Sequence, residues 1–299
     1  RLRARALYGA AVLADIQADP DAAEALGREA CAIYRQLDDA HGLATTLTVL
    51  AFQAQRRGRC TEAVSLFGET VELWRSCGDL TAVDLGTSNM AMAARAGGQY
   101  DLACRLLEQV VASSGQRGDV RGVASALNGL GDVAAARGQR DAARTYHHAS
   151  LQRYRDVGDR WGSARVLADL ASVDMEAGDY EAAETSLCAA LRESLALGYQ
   201  RGAARQLESL AWCASREQRD RAAVVLLGAA AAIRHRVVTP ARPGERDRIE
   251  RILAAQALHV GSEAHYLFQR EDENFHAALA EGAGFPTAWT VIEDIKAHM

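Results

Sequence analysis

Few residues of this 299-residue chain have the types and spacing that chemistry requires. His147 and His148 are adjacent. On a helix, neighbouring side chains point about 100° apart, so the pair makes a poor joint metal site. His147 reads instead as a bulky packing residue. Near the C-terminus, Glu263, His265, Glu271, Asp272 and His276 form an acidic, histidine-containing cluster. On one helix His265 and His276 would stand about three turns apart, too far to share a metal ion. A solvated charged face is the expected outcome. No G-x-x-x-x-G-K-S/T phosphate loop is present, and the single lysine is Lys296. Gly129-Leu130-Gly131 lies inside an apolar helical stripe and follows no strand, so it reads as close helix packing. No G-x-S-x-G elbow or separated Cys/His motif points to a nucleophile. The residues predict a chain that is not an enzyme, with no catalytic residues, no cofactor and no metal.

What the chain has in place of chemistry is periodicity. Ala23, Ala63, Ala103, Ala143, Ala183 and Ala223 recur at intervals of 40. Ala11, Ala51, Ala91, Gly131, Ala171 and Ala211 keep the same interval, as do Leu7, Leu47, Thr87, Leu127, Leu167 and Leu207. A fixed period in this range signals a stacked solenoid, which presents an extended binding surface.

The unit around Leu127 shows the construction. Leu127, Leu130, Val133 and Ala134 form one apolar helical stripe, and Gly138 ends that helix as a C′ glycine. Asp141 opens a second helix, where a carboxylate complements the helix dipole, and Gly158-Asp159 ends it. Turns within units read Gly58-Arg59, Gly98-Gln99, Gly138-Gln139 and Gly178-Asp179. Turns between units read Asp38-Asp39, Gly78-Asp79, Gly118-Asp119 and Gly158-Asp159. The expected fold is all-α: an α-α superhelix of about six 40-residue helix-turn-helix repeats. The units lie near 1–40, 41–80, 81–120, 121–160, 161–200 and 201–235, together a repeat array over 1–235. Residues 236–299 read as a linker containing Pro240 and Pro243, followed by a C-terminal helical cap. Helices are expected over 245–259, 262–280 and 287–297. A terminal unit must be atypical because its outer face meets water.

This pattern resembles the tetratricopeptide repeat, whose basic unit is 34 residues. Leu127, Gly131, Ala143 and Tyr146 or His147 stand in comparable places, with Gly131 and Ala143 where two helices approach closely. The longer period should lengthen the helices and the Gly-Asp connection. It is similar to the lengthened repeats of bacterial signalling regulators of the maltose-regulator type. The tail adds a second resemblance. Arg221-Ala-Ala-Val-Val-Leu-Leu-Gly, the proline linker, Glu245-Arg-Asp-Arg and Phe275-His-Ala-Ala-Leu-Ala-Glu-Gly follow in that order. This order resembles the C-terminus of large bacterial regulators that join a signalling ATPase to tetratricopeptide repeats. Many of those also carry a LuxR-type or winged-helix DNA-binding domain. The resemblance implies a non-catalytic protein-interaction and sensor module, the regulatory arm of a signalling ATPase or transcriptional regulator. The alternative is a small-molecule effector receptor of the same architecture. The start at Arg1, without methionine, suggests a longer parent.

In tetratricopeptide arrays the first helices line the concave side, so the resemblance implies where a ligand would bind. One inward column is Tyr8, Thr48, Ser88, Asn128, Ala168 and Glu208. A second, one turn on, is Val12, Phe52, Met92, Asp132, Ser172 and Trp212. A third, earlier column holds Arg5, Thr45, Leu85, Ser125, Arg165 and Arg205. Phe52 and Trp212 are the expected anchors, since large exposed rings mark interfaces.

Composition sets the remaining bounds. Hydrophobic residues make up 49% of the chain and net charge is −5, with acids and bases mixed. No basic stripe suits a nucleic-acid backbone. No 18-residue apolar run suits a membrane. Cys31, Cys60, Cys77, Cys104, Cys188 and Cys213 include no C-x-x-C pair and read as reduced thiols of a cytoplasmic protein. The expected partners are a peptide, a protein or other domains of the same parent chain, with a small-molecule effector possible.

Overall fold

The structure is a computed structural model and describes residues 1–17, 19–236 and 251. Among them are twelve helices: α1 (Leu2–Ile16), α2 (Pro20–Gln36), α3 (Ala40–Arg56), α4 (Cys60–Ser76), α5 (Leu80–Ala96), α6 (Tyr100–Gln116), α7 (Val120–Ala136), α8 (Arg140–Asp156), α9 (Arg160–Ala177), α10 (Tyr180–Ala196), α11 (Gln200–Arg216) and α12 (Asp220–Arg236). No strand occurs among the described residues. The tail helices expected over 245–259, 262–280 and 287–297, and the cluster from Glu263 to His276, lie outside them.

The punctuation is finer than the 40-residue period. Left-handed backbone recurs every 20 residues, at Asp38, Gly58, Gly78, Gly98, Gly118, Gly138, Gly158, Gly178, Gly198 and Gln218. Each turn closes its helix with the same pair of bonds. At the end of α7, Gly138 N–H donates to the Ala135 carbonyl at 2.8 Å and Gln139 N–H to the Ala134 carbonyl at 2.9 Å. That is a Schellman closure, and it needs φ > 0 at one residue, which glycine adopts without steric penalty. Turns within and between units are equally short. The length beyond a basic tetratricopeptide unit therefore sits in the 17-residue helices, not in the Gly-Asp connection.

The residue after the left-handed position starts the next helix. Asp39, Asp79, Asp119, Asp159 and Asp179 each accept a hydrogen bond from the backbone N–H three residues on. A cap of this kind stabilises a helix by about 1 kcal/mol.

Contacts divide the chain into two compact units, Arg1–Arg153 and Tyr154–Met299, and the described residues of each form an α-α solenoid. In the first unit each helix from α1 to α6 packs on the next. The first helices α1, α3, α5 and α7 also touch in succession, forming one layer. In the second unit α9 packs on α10, α10 on α11 and α11 on α12. The alanine columns are the contact points. Ala23, Ala63, Ala103, Ala143, Ala183 and Ala223 are all 0% exposed, as are Ala11, Ala51, Ala91, Ala171 and Ala211. A methyl group at these positions lets neighbouring backbones approach. Larger side chains such as Phe67, Leu187 and Leu207 fill the space between.

Candidate binding cleft

The predicted columns lie on the first helices of the repeats: α1, α3, α5 and α7 in the first unit, α9 and α11 in the second. In the first unit they divide into surface and interior. Tyr8, Thr48 and Ser88 are half-buried. The Thr48 and Ser88 hydroxyls donate to the carbonyls of Ala44 and Asp84 at 2.9 Å, bonds closed within their own helices. Phe52 is half-buried and stands edge-on to Phe67, with ring centroids 5.2 Å apart. Met92 is exposed, and so is Leu85, about two turns earlier on α5. Asn128 is only 1% exposed. Its carboxamide oxygen lies 3.0 Å from Nδ1 of the buried His147, and Asp132 Oδ1 lies 3.9 Å from Nε2 of the same ring. Asn128 and Asp132 are thus gathered around a core histidine.

In the second unit five residues of the predicted columns, Arg165, Ala168, Ser172, Arg205 and Glu208, meet at a cleft of about 630 Å3. Helix α9 supplies Trp161, Arg165, Asp169 and Ser172. Helix α11 supplies Gly202, Arg205, Gln206, Glu208 and Ser209, and α10 supplies Leu187 and Ser194. Arg165 Nη2 donates to Tyr154 Oη at 3.1 Å, and its Cζ stands 5.6 Å from the centroid of the Trp161 ring. That cation–π contact positions both groups, yet Trp161 remains 53% exposed. Glu208 is buried and gripped by Arg234 of α12, whose Nε and Nη2 donate at 2.5 and 2.7 Å. Trp212 is half-buried, packs on the core of this unit and carries the Arg216 guanidinium 5.9 Å above its ring.

A smaller cleft, about 390 Å3, lies on the first unit between Glu24, Arg28, Arg35, Arg59 and Glu62. Its charges are mutually engaged: Arg59 and Arg28 donate to Glu24 at 2.7 and 2.5 Å. The hydrogen bond from Arg59 holds the Glu24 carboxyl below the usual carboxylate range, against the upward push of burial. Among the described residues no group of three or more His, Cys, Asp or Glu side chains is arranged to hold a metal ion. No helix among them is long and apolar enough to cross a membrane.

Among the lining residues that sequence reasoning did not select are Trp161, Ser194, Tyr199 and Gln206. Two of them do leave a signal. Gln206 is the one large polar residue in the column Ala6, Thr46, Gly86, Ala126, Val166 and Gln206. Ser194 stands in the column Tyr34, Trp74, Ser114, Tyr154 and Ser194.

The comparisons with known proteins agree with this architecture. The tetratricopeptide repeat family model matches residues 122–192, and an FCD domain model matches residues 221–299. No curated protein matches the chain. Among solved structures, BtubC from P. vanneervenii is similar at 19% identity and a TM-score of 0.59, over 73% of this chain and 94% of that one. A signal transduction ATPase with a tetratricopeptide repeat sensor, from Pyrococcus horikoshii, is similar at 14% identity and a TM-score of 0.58. The match covers 89% of this chain and 44% of that one. The apo quorum sensor NprR from B. thuringiensis is similar at 11% identity and a TM-score of 0.58, over 93% and 74%. At these identities the likeness is one of fold: a tetratricopeptide-type repeat array.

Proposed function

We propose that this chain is a non-catalytic interaction and sensor module, the regulatory region of a bacterial signalling ATPase or transcriptional regulator. It receives a peptide or a segment of protein on the first-helix face. The observation that carries this reading is the cleft of the second unit, where the exposed Trp161 ring, Arg165, Arg205 and Asp169 surround a recess floored by α10. Aromatic rings and arginines are the residues that most often anchor a bound chain. The fold likeness to the repeat sensor of a signal transduction ATPase and to a quorum sensor supports the same reading. Phe52 and Trp212 divide their area between core and surface, so Trp161 is the better anchor.

A small-molecule effector is the second reading. It is favoured by the cleft volume, which falls within the ~300–1,000 Å3 typical of ligand pockets. Selection of a random peptide library against the intact chain separates the two. Peptides recovered this way should bind roughly tenfold more weakly to Trp161→Ala and Arg165→Ala, with helicity unchanged. Peptides indifferent to both variants would remove the cleft from the interaction. Thermal stabilisation by metabolites and not by peptides would establish the effector reading. A phosphate-binding loop in the reading frame upstream of Arg1 would support the ATPase context, and its absence would count against it.

A further inference from the structure

Two buried polar side chains face the cleft of the second unit without a protein partner. Ser194 is 0% exposed and Gln206 is 6% exposed. Among the described residues neither Ser194 Oγ nor Gln206 Oε1 has a hydrogen-bond partner. Buried polar groups are nearly always paired, and an unpaired one destabilises the fold.

The repeat itself shows what is unusual here. At the positions equivalent to Ser194, the Tyr34 and Tyr154 rings pack over Gly42 and Gly162. Ser114 stands in the same column, but its hydroxyl donates at 2.6 Å to the buried Asp84 carboxylate, 30 positions earlier. The residue 30 positions before Ser194 is Ala164, which lines the cleft and can accept nothing from its side chain. Ser194 lacks the partner of Ser114, and the ring over the equivalent glycine, Gly202, comes from Tyr199 instead. Gln206 adds a long carboxamide in a column of smaller side chains. Ser194 and Gln206 both line the same cleft.

We propose that this floor binds the side-chain carboxamide of a glutamine or asparagine in a peptide segment; the proposal rests on the reading of this cleft as the interaction face. Gln206 Oε1 needs a donor, and the Ser194 hydroxyl offers a proton and takes one. A carboxylate only accepts and leaves Gln206 Oε1 unpaired. An ammonium or guanidinium only donates and leaves the Ser194 proton unplaced. A carboxamide does both in one planar group, and it satisfies either orientation of the Gln206 amide. The Leu187 side chain and the Ala164 and Ala168 methyls beside the floor suit the methylene stem of such a residue.

The test titrates the full chain calorimetrically with acetyl-Ala-Gln-Ala-amide, its norleucine counterpart and free L-glutamine. The glutamine peptide should bind with a dissociation constant on the order of 1 mM, as a ligand of this size allows. The norleucine peptide should bind roughly tenfold more weakly. Ser194→Ala and Gln206→Leu should each weaken the glutamine peptide about tenfold while leaving the melting temperature of the free protein unchanged or higher. A merely structural role would lower it. Equal binding of the norleucine peptide would overturn the carboxamide assignment and leave the cleft as an interaction face. Free glutamine binding as tightly as the peptide would keep the carboxamide and overturn the peptide as its source. No binding by any of the three at about 20 mM would overturn the proposal, since a match this weak falls below what the contacts supply.

Discussion

The imidazole of His147 occupies the space a side chain at position 131 would need: a Cβ on Gly131 would lie 2.5 Å from its Cε1. The same column holds alanine at every other repeat from Ala11 to Ala211, so the glycine is matched to this ring. Gly131→Ala should destabilise the protein by about 1–3 kcal/mol, because the buried ring is also held by Asn128 and cannot move away freely. His147→Ala in the same chain should recover part of that loss. Denaturant unfolding of the two single variants and the double variant measures the coupling, and additive losses would disprove it.

This pair shows which parts of the molecule were legible in the sequence. The close approach of Gly131 and the packing role of His147 followed from position in the repeat alone. So did the helix ends, because a left-handed turn leaves a glycine or an aspartate at a fixed spacing. The cleft was harder. Arg165, Ala168, Ser172, Arg205 and Glu208 fell in predicted columns, and the structure brings those five together. The columns also contained Asn128, whose burial depends on a histidine from the following helix. Ser194 and Gln206 differ from most of their columns in residue type, but the feature that marks them, a missing partner, is not visible in the columns. For Ser194, seeing it means knowing that the contacting residue lies 30 positions back, as Asp84 does for Ser114.

Asp84 makes the first unit sensitive to acid. Burial alone would raise its pKa. The hydrogen bonds from Ser113 and Ser114, with the bond and charge of Arg117, outweigh that and hold the carboxyl below its usual value. A depressed folded-state pKa contributes stability that is present above the unfolded value, about 3.9, and is lost as pH falls through the folded value. Asp84→Asn should therefore flatten the acid limb of the melting-temperature profile and lower stability near neutrality. An unchanged acid limb would show that other carboxylates govern it.

The cysteines should divide by burial. Burial pushes the Cys31 thiol up to about 11, and the Cys188 thiol is raised by the same cause. Cys77 is exposed at the end of α4. Since the thiolate is the reactive form, a disulfide reagent at about pH 8 should label Cys77 promptly. Cys31 and Cys188 should react only on unfolding, and mapping by peptide mass resolves the three. Early labelling of Cys31 in the native protein would contradict its packing in the first-unit core.

Among the described residues of the second unit, Glu208 and Arg234 form a deeply buried ion pair, with side chains 6% and 12% exposed and two hydrogen bonds from α12 to α11. Desolvation offsets much of the attraction in such a pair, but losing one partner leaves the other charge buried. Glu208→Leu alone should therefore destabilise the protein by about 3–5 kcal/mol. Adding Arg234→Leu should restore most of that, because two apolar side chains can fill the volume without a desolvated charge. A single variant within about 0.5 kcal/mol of wild type would mean that the pair is solvated in solution. The same series bears on the cleft, which Glu208 lines. If the double variant regains its stability and still binds the glutamine peptide, Glu208 serves to join α11 to α12 and takes no part in the binding chemistry.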